Sequence, residues 1–125
     1  MKKTWFGSAL LLGALLGWSA GSSAAGESSC GTPGKPACPL QRWMREEVAA
    51  ARYQKDLPKL AEHLDQLAEW NPEPSEWSKW TRYAREGAAA ARAGRRADSV
   101  CRGCHQDYRR RFQAKYRSKQ APKAP

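Results

Sequence analysis

Two kinds of apolar pattern run along this chain. The first is continuous. No charge falls between residues 4 and 26, and Trp5, Phe6, Ala9, Leu10, Leu11, Leu12, Ala14, Leu15, Leu16 and Trp18 form one apolar block behind Lys2 and Lys3. A positive start, an apolar block and then small residues is the order of a secretory signal peptide. The block is shorter than the roughly 20 apolar residues of a spanning helix, and Gly7, Gly13 and Gly17 interrupt it; a retained anchor is the alternative. Cleavage is placed after Ala25, which assigns 1–25 to the signal peptide and makes residue 26 the first of the mature chain.

The second pattern is periodic. After a loop at 26–39, broken by Gly31, Pro33, Gly34, Pro36 and Pro39, apolar residues recur every three to four positions, the period of a helix with one buried face. Leu40, Trp43, Met44, Val48 and Ala51 predict a helix over 40–54. Asp56 is placed to cap a second helix, with Pro58 in its first turn, where a missing N–H costs little; Leu57, Leu60, Leu64 and Leu67 form its stripe, which ends near Trp70. Asn71-Pro72-Glu73-Pro74 breaks the chain. Ser75 is the expected N-cap of a third helix with Trp77, Trp80, Thr81, Ala84, Gly87, Ala88 and Ala91 on one face and Gly94 at its end. A fourth, over 97–116, carries Val100, Cys101, Cys104, His105, Tyr108 and Phe112 on one face. The polar segment 118–125 is expected to be a flexible, frayed tail. No strand pattern competes. Four short amphipathic helices with short connections predict an all-α fold, an antiparallel four-helix bundle.

Composition and charge then narrow the function. The 125 residues leave no room for a large enzyme barrel or a full dinucleotide-binding fold. The net charge of +10 from 22 Lys+Arg and 12 Asp+Glu first suggests nucleic acid, an anionic membrane or an acidic protein. An exported chain meets no nucleic acid, and the charge is uneven. Residues 26–94 balance 10 basic against 10 acidic side chains, whereas 95–125 hold 10 basic side chains and 2 aspartates. Solvation of a helix face is the ordinary reason for such a run. A docking face over 95–119 for an acidic redox partner is the functional reading, with peripheral membrane contact and a homodimer as further expectations.

The four cysteines fall into two pairs. Cys30 and Cys38 flank the Pro/Gly-rich arm, and an oxidising periplasm favours a local disulfide between them. Lipidation of Cys30 is the alternative, but Glu27 stands where a lipidation signal wants an aliphatic side chain. The other pair lies in Cys101-Arg102-Gly103-Cys104-His105, which is C-x-x-C-H, the attachment motif of c-type haem. On a helix these three side chains share one face. Two thiols can then bond the porphyrin edge, and His105 can serve as proximal axial ligand. A redox-active C-x-x-C belongs near a βαβ pattern, and zinc needs more ligands; neither fits. One covalent haem c is expected, and 40–117 becomes a haem-binding domain. A core this small is marginal without such a staple.

The motif opens the last helix, only 20 residues before the chain ends, and no methionine follows it. With Tyr108 three residues and Arg109 four residues after His105, Cys101 to Arg109 resembles the class II c-type cytochromes, cytochrome c′ and its low-spin c-556-like relatives. The resemblance implies a four-helix bundle and a methionine ligand from the first helix. Met44 is the one methionine besides the initiator and lies there. By spacing alone it reads as core packing; by resemblance it is the sixth ligand. The departures are a 78-residue helical stretch, shorter than usual, the extra arm, and Leu40 where the family often has an arginine; no propionate contact is therefore assigned to Arg42. His63 is expected at the exposed border of its stripe, Glu47 in solvent, and Trp43 as cover for the haem edge. The expected function is one-electron transport rather than catalysis. The alternative is a five-coordinate binder of NO or CO.

Overall fold

The computed structural model describes residues 30–123, so the segment 1–25, expected to be a signal peptide, lies outside the described residues. Four helices account for the regular structure, and no strand occurs among the described residues. Helix α1 covers residues 39–54 as one rod in three stretches: α-helical Pro39–Trp43, π-helical Met44–Val48 and α-helical Ala49–Gln54. Helices α2 (Leu57–Glu69), α3 (Ser78–Arg92) and α4 (Asp98–Lys115) follow.

Local chemistry explains most of the ends. Pro39 opens α1, and the Cys38 N–H donates to Gln41 Oε1 at 3.3 Å. The α1 terminus turns through Lys55, whose φ is 59°, with bonds from the Lys55 N–H to the Arg52 carbonyl and from the Asp56 N–H to the Ala51 carbonyl. The Asp56 carboxylate then accepts from the Lys59 N–H at 3.1 Å and caps α2. Helix α3 ends the way α1 does. Gly94 (φ 69°) donates to Ala91 and Arg95 to Ala90, the paired bonds of a Schellman motif.

The start of α3 differs from expectation. Ser75 does not cap it; the helix begins at Ser78. Asn71 organises the preceding segment instead. Its Oδ1 accepts from the Glu73 N–H at 3.0 Å, and its Nδ2 donates to the Trp77 carbonyl at 3.0 Å. Residues 73–77 close a turn of their own, which drives Trp77 into the core at 2% exposure before the helix starts. The tail also differs. Rather than fraying from 118, the chain packs back: Ala121 lies against the core, Pro122 is buried, and the Lys119 ammonium sits 5.3 Å from the Trp70 ring centre.

The core forms chiefly where α2 meets α3. Leu60, Leu64, Leu67 and Ala68 pack on Trp80, Ala84, Ala88 and Ala91. Small residues allow this approach: a Cβ at Gly87 would lie 3.0 Å from Leu64 Cδ1. The Trp80 indole N–H donates to the Leu67 carbonyl at 2.9 Å, which satisfies the polar atom of a buried ring. Between α3 and α4, Gly103 faces the Tyr83 ring, and the Tyr83 hydroxyl donates to Asp107 at 3.1 Å. Beyond them Trp70, Trp77, Trp80, Tyr108, Phe112 and Tyr116 form one aromatic cluster with ring centres 5.0 to 6.2 Å apart. Helix α1 rests on α2. No Cα of α1 comes within 8 Å of a Cα of α4, and that gap is where the site lies.

Candidate functional site

Helices α1 and α4 are joined at two places by side chains and loop. At one, Arg52 Nε donates to Asp98 Oδ1 at 2.7 Å. At the other, the Cys30–Cys38 disulfide forms, and Cys30 Sγ lies 3.8 Å from the carbonyl oxygen of Arg117. Between the helices runs a cleft of about 340 Å³, within the size range of small-molecule and cofactor sites. Leu40, Met44 and Ala49 line it from α1, Trp80 from α3, and Cys104, His105, Tyr108 and Phe112 from α4. Its polar lining comes from Gln41, Arg45, Arg109, Gln113 and Arg117 together with the disulfide loop.

Met44 and His105 thus share one cleft from opposite walls. Met44 opens the π-helical stretch, an element that recurs at functional sites. Cys104 and His105 project from the second turn of α4. Cys101 is half-buried but is not part of the lining; Asp98 and the Arg52 guanidinium both act on its thiol, which places it toward the Arg52–Asp98 end. Cys101 and Cys104 are not bonded to each other.

The electrostatics separate thiol redox chemistry from cofactor attachment. Burial, reinforced by Cys101 and Asp107, pushes the Cys104 thiol up to about 12. Burial also raises the Cys101 thiol, with Arg52 opposing it. Both are protonated at neutral pH, whereas the nucleophile of a disulfide exchanger is a stabilised thiolate. His105 is exposed by surface area, yet desolvation of its ring by its neighbours, and then the Arg109 charge, hold it below the usual histidine range. The ring is therefore neutral at pH 7, the form that can coordinate a metal. Desolvation works to raise Asp98, but Arg52 and Arg96 outweigh it and hold the carboxyl below its ordinary value.

No three His, Cys, Asp or Glu side chains converge into a metal cage among the described residues. The cleft offers instead one imidazole and one thioether against apolar walls, with the Cys104 thiol beside the imidazole and Cys101 one helical turn away, outside the lining. That donor set suits a flat apolar macrocycle whose metal takes two axial ligands. The residues fit haem.

Three expectations shift. Trp43 does not line the cleft; it is buried beside His63, with ring centres 5.7 Å apart, and Trp80 supplies the indole wall. His63 is not at an exposed border but 5% exposed, because the α1 rod covers it. Glu47 reaches it rather than standing free in solvent, with Oε2 3.4 Å from His63 Nε2. The contributions of Ala49, Arg45 and Gln113 carried no sequence signal, since an alanine, arginine or glutamine on a helix is unremarkable until a gap opens beside it.

No family model, curated protein or solved structure matches the chain. No helix among the described residues is long and apolar enough to cross a membrane.

Proposed function

We propose that this chain is a monohaem c-type cytochrome of the class II type, a periplasmic antiparallel four-helix bundle that carries single electrons. The observation that supports the reading is the shared cleft: Cys104 and His105 of the C-x-x-C-H segment on α4 and Met44 of α1 line one gap. Haem c, when bound, supplies a one-electron iron couple. Cys101 and Cys104 would hold it through thioethers, which would retain it in an exported protein. His105, whose pKa is held low by desolvation and Arg109, and Met44 would ligate its iron. Methionine–histidine ligation raises the potential and suits outer-sphere transfer. Trp80, Tyr108 and Phe112 line the cleft and would shield the group from water. The reading assigns no substrate chemistry. The exposed basic side chains of 95–119 dock an acidic redox partner; an anionic membrane surface offers the same kind of charge.

The deciding experiment is expression of the full chain with a haem-attachment system. Covalent haem should appear as one added haem mass that disappears in Cys101→Ala/Cys104→Ala. The ferrous protein should be low-spin and indifferent to CO, and Met44→Ala should abolish the methionine–iron charge-transfer band. Rapid CO binding by the wild-type protein would replace the carrier with the five-coordinate NO/CO binder. Absence of covalent haem would overturn both.

A further inference from the structure

We propose that His63 is a positioning residue: it holds the π-helical turn that aims Met44 into the cleft. The proposal rests on the haem reading above, but its observations are separate. Regular helix spacing places core residues three or four apart. In α1 the buried Trp43 and Val48 are five apart, and the Ala49 N–H donates to the carbonyl of Met44, five residues back. One extra residue is thus accommodated between two core contacts. Glu47, which an unbroken α-helix would align with the core stripe, is turned out of it, and Met44 is left half-buried at the edge of the core. Met44 lines the cleft, and Glu47 turns toward α2.

A π turn is a rare, short conformation and needs tertiary contacts to hold it. Helix α4 approaches no Cα of α1 within 8 Å, whereas α2 packs against both the π stretch and the α-helical turns after it. His63 is the polar residue of α2 at that contact. Its ring meets the Trp43 indole edge-on at 5.7 Å, and its Nε2 lies 3.4 Å from Glu47 Oε2. One imidazole therefore touches the residue before Met44 and the residue three after it. Gln66 Oε1 lies 3.4 Å from the other ring nitrogen and fixes the ring plane. Nε2 is buried and has only this proximity to the carboxylate, not an aligned hydrogen bond. A leucine would fill the same space without that desolvation cost, so stability alone does not explain an imidazole there. His63 does not line the cleft and acts through Met44.

The test uses the haem-loaded full chain with His63→Leu, His63→Gln, Glu47→Ala and Glu47→Gln. All four should carry covalent haem by mass. His63→Leu and Glu47→Ala should lose most of the methionine–iron charge-transfer band and gain CO binding, while His63→Gln and Glu47→Gln, which keep a polar group at each end of the contact, retain the wild-type spectrum. Hydrogen exchange at the Ala49 amide reads the turn without reference to iron and should quicken about tenfold in His63→Leu. Glu47 is partly exposed, so Glu47→Ala decides the matter if His63→Leu does not fold. A wild-type band, CO indifference and unchanged Ala49 exchange in both would overturn the proposal. Failure of the ligation reading looks different: Met44→Ala would then leave the spectrum unchanged with His63 and Glu47 intact.

Discussion

Lys55 ends α1 with a φ of 59°, a left-handed conformation that costs a residue with a Cβ about 1–2 kcal/mol. Lys55→Gly removes that strain, and the greater freedom of the unfolded chain returns about 0.4–1 kcal/mol of it. The expected outcome is a gain of up to about 1 kcal/mol, a melting point higher by about 4 °C for a domain of this size; a lower melting point would contradict the strain argument. Asp98 matters in another way. Its folded-state pKa is depressed by Arg52 and Arg96 against desolvation, so its contribution is complete above the unfolded value near 4 and is lost as pH falls through the lower folded value. Asp98→Asn should therefore melt below wild type at pH 7, with the gap closing as the pH is taken below about 4. A gap independent of pH would assign the effect to packing rather than charge.

The elements fit together through small residues at particular crossings. A Cβ at Gly103 would lie 3.1 Å from Tyr83 Cε1. That ring cannot readily withdraw, because its hydroxyl is tied to Asp107. Gly103→Leu should force α3 and α4 apart and cost about 1–3 kcal/mol, read by thermal or denaturant unfolding. The one tight neighbour of a Cβ at Gly87 is the flexible end of Leu64, with Val100 and Ala97 at ordinary contact distance, so Gly87 should tolerate alanine far better than Gly103 tolerates leucine. Within α1 the π stretch is the decisive local feature. It gives different places to two residues, Trp43 and Met44, that adjoin in sequence: Trp43 is buried beside His63, and Met44 sits at the edge of the core and lines the cleft.

At the scale of the molecule, α1 and α4 are held apart and bridged at two points, by Arg52–Asp98 and by the disulfide arm. Removing the arm's cross-link in Cys30→Ser/Cys38→Ser frees a loop with a sequence separation of 8. Chain entropy for a loop that short amounts to about 2.5 kcal/mol, and unfolding of the haem-loaded protein should register most of it. The cleft itself leaves an apolar gap in an already small bundle, so haem-free Cys101→Ala/Cys104→Ala should lose cooperative unfolding; a sharp, unchanged transition would refute this. Charge is the remaining molecular property. The basic side chains after residue 94 sit on or beside the helix that carries the C-x-x-C-H motif. Arg111 also stacks on Trp77 and Lys115 binds Glu73, so part of this charge serves packing. Reduction by an acidic partner should slow as ionic strength rises, since exposed charges more than a Debye length of about 10 Å apart are screened at 0.1 M salt. A rate independent of salt would remove the docking role.

Sequence by itself determined what is local. The cap at Asp56, the proline at position 58, the left-handed glycine at 94 and the three-to-four spacing of Leu60, Leu64 and Leu67 each act within one or two helical turns. Four helices and most of their ends were therefore legible, as were the Cys30–Cys38 pair and the placing of Cys101, Cys104 and His105 on one helix. Tertiary structure alone decided what depends on two elements meeting. The same apolar stripe of α1 could face core or cleft, and only the tertiary structure, with the π turn packed against α2, buries Trp43 and leaves Met44 at the core's edge facing the cleft. His63 looked like a border residue because its own helix gives no sign that α1 will cover it. Ser75 looked like a cap because the competing bonds of Asn71 reach forward to Trp77 and Thr81. The cleft is a distance between helices with no residue pattern of its own: it exists because α1 leans on α2 and does not close on α4.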